Sequence, residues 1–496
     1  MVAMSTGGSN DNPIVVWLRS DLRLADNPAI THAVQSGRPL VVLYILDDGS
    51  SGLRSLGSAS RWWLENSLRG LDQDLKTIGG SLVLRRGPSA RVLDEVVTAT
   101  SAGAVCWNRR YDAAGIAIDA ALKLSLRARG LSVSSFQANL LFEPWTVRSR
   151  AGEPFRVYSP FWRAAIATGA PRAPLAAPKR LTAPAVPVAS DKLEDWSLSP
   201  TSPNWAAAFF QSWTPGEAGG RAKIETFLAN GIGHYAEDRD RPGHQSTSRL
   251  SPHLAFGEIS PFQIWHATRM VADQEPNHHR HAEKFLSEIG WREFSYHLLH
   301  HWPDLATNNF QSRFESFPWS EDDAAVAAWR RGKTGIPLVD AGMRELWSTG
   351  WMHNRVRMIV GSFLVKHLLQ DWRIGERWFW DTLLDADPAN NAASWQWVAG
   401  SGADAAPYFR VFNPVLQGEK FDTDGGYVRR FVPELARLPA ACIHRPWEAP
   451  SNILVAAGVT LGQDYPYPIV DLAHGRDRAL AAFESLKSPT NTANSA

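Results

Sequence analysis

The sequence has two cysteines, Cys106 and Cys442, among 496 residues. Two cysteines cannot build a disulfide framework or a cysteine-rich metal site. Their scarcity fits a reducing compartment, and a cytoplasmic protein is expected. No apolar run approaches the ~20 residues that a membrane span needs. The segment Met1–Asn12 is small and polar and lacks the apolar core of a secretory signal. Neither sign of charge is in excess: 51 Lys and Arg against 50 Asp and Glu leave a formal charge of +1. That excludes a globally basic nucleic-acid coat and leaves room for a local basic patch.

Several familiar motifs are missing too. There is no HExxH and no CxxC, and GxGxxG does not follow the first apolar run, so the standard dinucleotide fingerprint is absent. Gly332-Lys333-Thr334 resembles the end of a phosphate loop, but Ala327 stands where the loop needs glycine. His278-His279-Arg280-His281 reads as a solvated loop, and no metal is expected.

What is present is tryptophan, 22 residues against 9 tyrosines. Hydrophobic residues reach 44% and charged residues 20%, enough for a large core. Excess tryptophan usually serves packing; it also serves stacking on bases and electron transfer.

Residues 13–140 alternate strand and helix signals. Ile14–Leu18 and Leu40–Leu46 are apolar runs short enough for buried strands, and Leu82–Leu84, Ala104–Trp107 and Leu131–Phe136 follow as strands. Between them, Asn27-Pro28 and Ser60 read as helix starts, and further helices are expected from Ser89 and over Ala114–Ala128. This alternation predicts a doubly wound parallel sheet, an α/β domain. Residues 171–204 hold seven prolines, which suits a connector. The linker is set at 141–218, an all-α domain at 219–487, and a frayed tail at 488–496. Helical spacing recurs at Ala222–Leu228, Ala282–His300 and Val339–Leu369.

Five motifs then occur in order. Tyr235-Ala-Glu-Asp-Arg239-Asp240 precedes Thr247-Ser248-Arg249-Leu250-Ser251, whose hydroxyls and N–H groups suit phosphate. Glu288 and Trp291 are three apart, so on a helix they share a face. Asn354 and Met358 are four apart in Trp351-Met352-His353-Asn354-Arg355-Val356-Arg357-Met358, and they share a face as well. Asp385, Asp387, Asn390, Asn391, Trp395 and Trp397 crowd into thirteen residues. Asp404 to Asn413, with Tyr408 and Arg410, leads to Gln417-Gly418-Glu419-Lys420. Each also has an ordinary reading: a cap, an amphipathic face, a turn.

Together, in this order and spacing, they resemble the photolyase and cryptochrome flavoprotein family. The resemblance runs from Val16-Trp17-Leu18-Arg19-Ser20-Asp21-Leu22-Arg23 to about Trp447 and is strongest over 235–430. The Asn354–Met358 pair, Trp397 in the second WxW position and Asn391 rather than Asp resemble the dimer-repair branch. Class I and class III enzymes both fit. Enzymes for the (6-4) lesion carry two histidines near Asn354; here only His353 is present.

The resemblance implies a carbon–carbon lyase that repairs cyclobutane pyrimidine dimers in DNA under blue light, using reduced, anionic FAD. It implies that Tyr235, Thr247, Ser248, Arg249, Leu250, Ser251, Asn354, Arg357, Asp385, Asp387 and Asn391 hold FAD, with Arg357 paired to Asp385 and Asn391 at flavin N5. Glu288, Trp291, Asn354, Met358 and Trp397 would form the dimer pocket. Trp395, Trp372 and Trp319, separated by 23 and 53 residues, would carry electrons to the flavin. Arg239, Arg292, Arg355, Arg410 and Gln417 would contact UV-damaged DNA, independently of sequence. A second pigment in the N-terminal domain is expected, folate preferred over 8-hydroxydeazaflavin. A monomer is expected. The rival reading is a cryptochrome-like photoreceptor without repair.

Overall fold

The computed structural model describes residues 12–404 and 409–486; Tyr408 and the expected tail at 488–496 lie outside the described residues. The chain opens with five strands: β1 Ile14–Leu18, β2 Leu40–Leu46, β3 Leu82–Arg86, β4 Ala104–Asn108 and β5 Ser132–Phe136. They form one parallel sheet in the order β3-β2-β1-β4-β5. Helices α1 Pro28–Gln35, α2 Ser58–Thr77, α3 Ser89–Thr100 and α4 Ala113–Ala128 connect them. Strand alternation divides the core: Ile14, Val16 and Leu18 pack in one cluster with α1 and α2, while Val15 and Trp17 pack in another with α3 and α4. Strand order reverses between β1 and β4, the switch point where α/β sheets open a crevice.

Asn27 caps α1 as expected, its Oδ1 accepting from Ile30 N at 3.2 Å. Ser60 does not cap α2. The helix begins earlier, after Gly57, and the Ser60 hydroxyl donates to Leu383 O at 3.2 Å. A cap must lie outside the first turn, and Ser60 is already inside it.

The expected linker divides into unlike parts. Leu141, Phe142, Val147 and helix α5 Tyr158–Ala167 share a core with Phe285, Ile289, Phe294 and Leu298 of the helical domain. Residues 141–167 are therefore not a connector: six of them are apolar anchors buried in that core. The proline-rich stretch instead lies along the sheet domain. Leu181 N donates to Ile78 O at 2.8 Å, Leu40 N to Thr182 O at 2.7 Å and Asp191 N to Leu84 O at 2.8 Å.

Beyond α6 Glu217–Asn230 the chain is helical. Helical spacing over Val339–Leu369 resolves into three pieces: Pro337–Thr349, Asn354–Ser362 and a π-helical turn at Phe363–His367. The break comes at Gly350, φ 66°, a left-handed conformation that ends a helix at little cost only for glycine. His353 Nδ1 then accepts from Arg355 N at 3.2 Å and starts the next helix. Among the described residues no helix is long and apolar enough to cross a membrane.

Candidate active site

Three helices carry the motif residues. Glu288 and Trp291 lie on His279–His301, Asn354 and Met358 on Asn354–Ser362, and Asn391, Trp395 and Trp397 on Asn390–Ala399. Polar contacts join the three.

A chain of ion pairs links the first two helices. The Arg239 guanidinium pairs with Glu288 Oε1 and lies 4.0 Å from Asp240 Oδ1, and Arg355 meets Asp240 Oδ2 at 2.6 Å. Lys284 also reaches Glu288 Oε1, at 3.0 Å. Both cations therefore meet one oxygen of Glu288, leaving Oε2 for another partner. The third helix joins through Asp387. Its Oδ1 accepts from Ala389 N, Asn390 N and Asn390 Nδ2 at 3.0, 2.7 and 2.9 Å. Its Oδ2 accepts from Tyr296 O–H at 2.6 Å, and Tyr296 sits on the Glu288 helix. Burial and the Asp387 charge push the Tyr296 hydroxyl well above its usual pKa, so it stays a donor.

Trp291 stacks face to face on Tyr158, ring centroids 3.8 Å apart and planes 11° off parallel. Tyr158 is fixed in turn by its hydroxyl, which donates to Ser287 O at 2.6 Å. Trp397 is half-buried and its Nε1 donates to Asp404 O at 3.1 Å. Asn354 is exposed at the first turn of its helix and Met358, one turn on, is half-buried.

Arg357 and Asp385 pair bidentately, at 3.1 and 2.8 Å, and Arg357 Nε donates to Met352 O at 2.7 Å. The hydroxyl run sits nearby. Arg249 adopts φ 52° and lies between the rings of Trp213 and Trp351, 4.7 and 4.6 Å from their centroids. Its Nε is buried without a partner among the described residues. Ser251 Oγ accepts from Trp351 Nε1 at 3.1 Å, Leu250 and Tyr235 are buried, and Thr247 and Ser248 are half-buried. A cation with an unsatisfied buried donor, beside half-buried hydroxyls, fits a ligand phosphate. Asn391 Nδ2 donates to Glu376, and its Oδ1 has no donor among the described residues. These residues fit a flavin dinucleotide.

Trp395 and Trp372 are buried in one cluster and Trp319 packs, half-buried, on its edge. Helix Trp372–Thr382 lets Trp395 lie against it through Gly375: a Cβ there would fall 2.1 Å from Trp395 Cη2. Trp372 Nε1 donates to Asn309 Oδ1 at 2.9 Å.

Three of the five residues expected to contact DNA are bound to other groups of the protein. Arg292 is 8% exposed; its Nη1 donates to Asn139 O at 2.6 Å. A buried guanidinium cannot meet a backbone phosphate. The Arg239 and Arg355 side chains are 14% and 16% exposed and bound to carboxylates, so they brace helices at the edge of the surface. Arg410 is exposed and Gln417 is half-buried. Sequence reading missed Tyr158, Tyr296 and Glu376. None lies in a motif, and only Tyr296, one helical turn beyond Arg292, carried a positional hint.

The family description "DNA photolyase" fits residues 14–179, and "FAD binding domain of DNA photolyase" fits residues 285–485. The deoxyribodipyrimidine photo-lyase of Agrobacterium fabrum is 53% identical over 478 residues, 96% of this chain and 99% of that protein. Cryptochrome-1 of Arabidopsis thaliana is 40% identical over 480 residues, 95% of this chain but 70% of that protein. The crystal structure of a bacterial class III photolyase from Agrobacterium tumefaciens superposes with a TM-score of 0.93 at 52% identity, covering 98% of this chain and 100% of that one. With its parallel sheet, its helical FAD-binding half and relatives matched end to end, this chain belongs to the DNA photolyase family.

Proposed function

We propose that the protein is a light-driven DNA-repair lyase that splits cyclobutane pyrimidine dimers with reduced FAD held in its helical domain. The observation that carries this reading is the pocket wall: Trp291 stacked on Tyr158, one turn from a Glu288 whose Oε2 meets no cation among the described residues.

The dimer must leave the duplex to reach such a pocket. It stacks and pairs poorly, so extrusion costs less than for intact bases, which supplies selectivity. Trp291 and Trp397 offer apolar faces to it. Glu288 Oε2 is an acceptor for an imide N–H, and Arg239 with Lys284 holds the carboxylate in place. Asn354 and Met358 complete the wall. Arg249, Thr247, Ser248 and Ser251 would hold the flavin phosphates, Asp385 with Arg357 its ribose region, and Asn391 would face N5. Bound and reduced, FAD supplies the light-excited electron that opens the ring and recovers it afterwards. Trp395, Trp372 and Trp319 would carry electrons inward from the surface.

A light-harvesting folate in the sheet domain, preferred over 8-hydroxydeazaflavin, completes the reading. Buried, unpartnered indole N–H groups of Trp17 and Trp107 beside the switch point support a ligand there. Mass spectrometry of the extracted pigments identifies it. We further read the protein as a cytoplasmic monomer, which sedimentation and fractionation check.

The decisive experiment mixes photoreduced protein with a thymine-dimer oligonucleotide under blue light, with a dark control and a (6-4) substrate. Light-dependent restoration of thymines from the dimer alone is expected. Repair of the (6-4) lesion overturns the roles of Asn354 and Met358. No repair, with FAD bound and photoreducible, favours the photoreceptor reading.

A further inference from the structure

We propose that the segment 148–163 is a basic arm that grips DNA backbone phosphates beside the pocket. This rests on the DNA-repair reading above.

The first argument is a charge account. Arg239, Arg292 and Arg355 are all engaged inside the protein. With Arg239 and Arg355 paired to carboxylates and Arg292 buried, they add little to the long-range attraction that a DNA-binding face needs. Segment 148–163 holds Arg148, Arg150, Arg156 and Arg163 against one acid, Glu153. All four arginines are exposed. None forms an ion pair among the described residues. Arg148 donates to Trp145 O and Gly152 O, at 3.3 and 2.9 Å, and Arg163 donates to Ser159 O at 3.4 Å. Arg156 lies 5.4 Å from the Trp302 ring centroid and 5.9 Å from that of Phe310. Arg69, Arg85, Arg86, Arg91 and Arg129 of the sheet domain each meet a carboxylate. Four guanidinium groups outside ion pairs within sixteen residues concentrate positive charge there, at the cost of mutual repulsion.

The second argument is position. The arm is fastened to the pocket on both sides. Tyr158 stacks on Trp291. Arg156 O accepts from Asp404 N at 3.1 Å, and Asp404 O accepts from Trp397 Nε1 at 3.1 Å. Phe155 N donates to His297 Nε2 at 3.0 Å. Thus the cations flank a rigid anchor whose rings form the pocket wall. Guanidinium groups match phosphate oxygens bidentately, and a repeating phosphate backbone is the ligand that can engage several at once. Phosphates carry no sequence information, so the arm positions the duplex while the pocket recognises the lesion.

The test uses the full holoprotein. Arg148, Arg150, Arg156 and Arg163 are all changed to Gln. A control changes Lys179, Arg180, Arg331 and Lys333 to Gln, exposed cations outside ion pairs on other surfaces. Affinity for a duplex with one thymine dimer, and for the same duplex undamaged, is measured across a salt series. Flavin content and a thermal melt confirm that each variant is folded.

The arm variant is expected to lose roughly tenfold or more in affinity at low salt for both duplexes equally, with a salt slope shallower by about 1 for each phosphate contact removed. The control is expected to keep the wild-type slope. Wild-type affinity and slope in the arm variant overturn the proposal while leaving the repair reading intact. So does a loss confined to the damaged duplex, which would make the arm part of lesion recognition. Arg150→Glu with Arg163→Glu is a second variant and is expected to weaken binding further than Gln at the same sites. Wild-type protein that neither binds nor repairs either duplex overturns both readings.

Discussion

Asn391 and Glu376 are joined by two hydrogen bonds from one amide: Asn391 Nδ2 donates to Glu376 O at 3.0 Å and to Glu376 Oε1 at 2.8 Å. Glu376 is itself held from the other domain, by a bidentate pair with Arg54 at 2.6 and 2.9 Å. The orientation of a residue assigned to flavin N5 thus depends on a loop of the sheet domain. Arg54→Met leaves the Glu376 carboxylate buried and unpaired. Because the Arg54 side chain is 36% exposed, the cost is expected near 1–2 kcal/mol, about half that of breaking a fully buried pair. Urea unfolding measures it, and adding Glu376→Gln should recover part of the loss.

The Arg357–Asp385 pair gives a sharper outcome. Asp385→Asn keeps the shape and removes the charge, leaving Arg357 without its anionic partner. FAD affinity is expected to fall by about tenfold or more, near 1.4 kcal/mol. Flavin absorbance per protein after gel filtration reads it. Unchanged retention would remove Asp385 from the cofactor site.

Tyr158 tests the pocket wall. Tyr158→Ala removes a stack worth about 0.5–1.5 kcal/mol and frees Trp291 to rotate. Affinity for dimer-containing DNA is expected to drop while flavin content stays constant. Tyr158→Phe keeps the rings together and should bind nearly as wild type, although it loses the bond to Ser287 O.

Trp372→Phe separates reduction from repair. Light-driven reduction of oxidised flavin is expected to slow severely. Protein reduced chemically beforehand should repair at the wild-type rate. Equal loss of both would assign Trp372, which is buried and bonded to Asn309, to structure alone.

Glu293 predicts a pH dependence. It accepts from Phe142 N at 3.1 Å and is fully buried, which raises its carboxyl pKa to about 7. The folded state therefore holds a proton that the unfolded state releases near pH 4.5. Its contribution to stability is largest below pH 4.5 and is lost as pH rises to about 7, by roughly 3 kcal/mol at most. Glu293→Gln should flatten that part of the melting profile and stabilise the protein at pH 8 relative to wild type. A parallel profile would mean that Glu293 is ionised in the fold.

Strands β1 and β2 were legible because each is a short, β-branched or Leu-rich apolar run, as at Leu40–Leu46. The helical half was legible in period but not in breaks: Gly350 interrupts a spacing that otherwise continues through Leu369. Ser60 misled because serine serves both as a cap and, one turn inside, as a donor to a distant carbonyl. Segment 141–167 misled for a related reason: its neighbours in sequence are loops, while its partners in space are helices more than a hundred residues away.

By itself the sequence determined the motif set and its order, hence the family and the chemistry to look for. Local spacing is enough for that, because residues three or four apart on a helix share a face whatever the helix packs against. Tertiary structure alone decided what each charge does. Arg239, Arg292 and Arg355 look like any surface arginines in a helical pattern. Their carboxylate and carbonyl partners come from distant segments, Glu288, Asn139 and Asp240. Pairing depends on a few ångströms in space, and the separation of 153 residues between Arg292 and Asn139 carries no trace of it. The same holds in reverse for Arg148, Arg150, Arg156 and Arg163, whose freedom from carboxylates became visible only once the chain was folded.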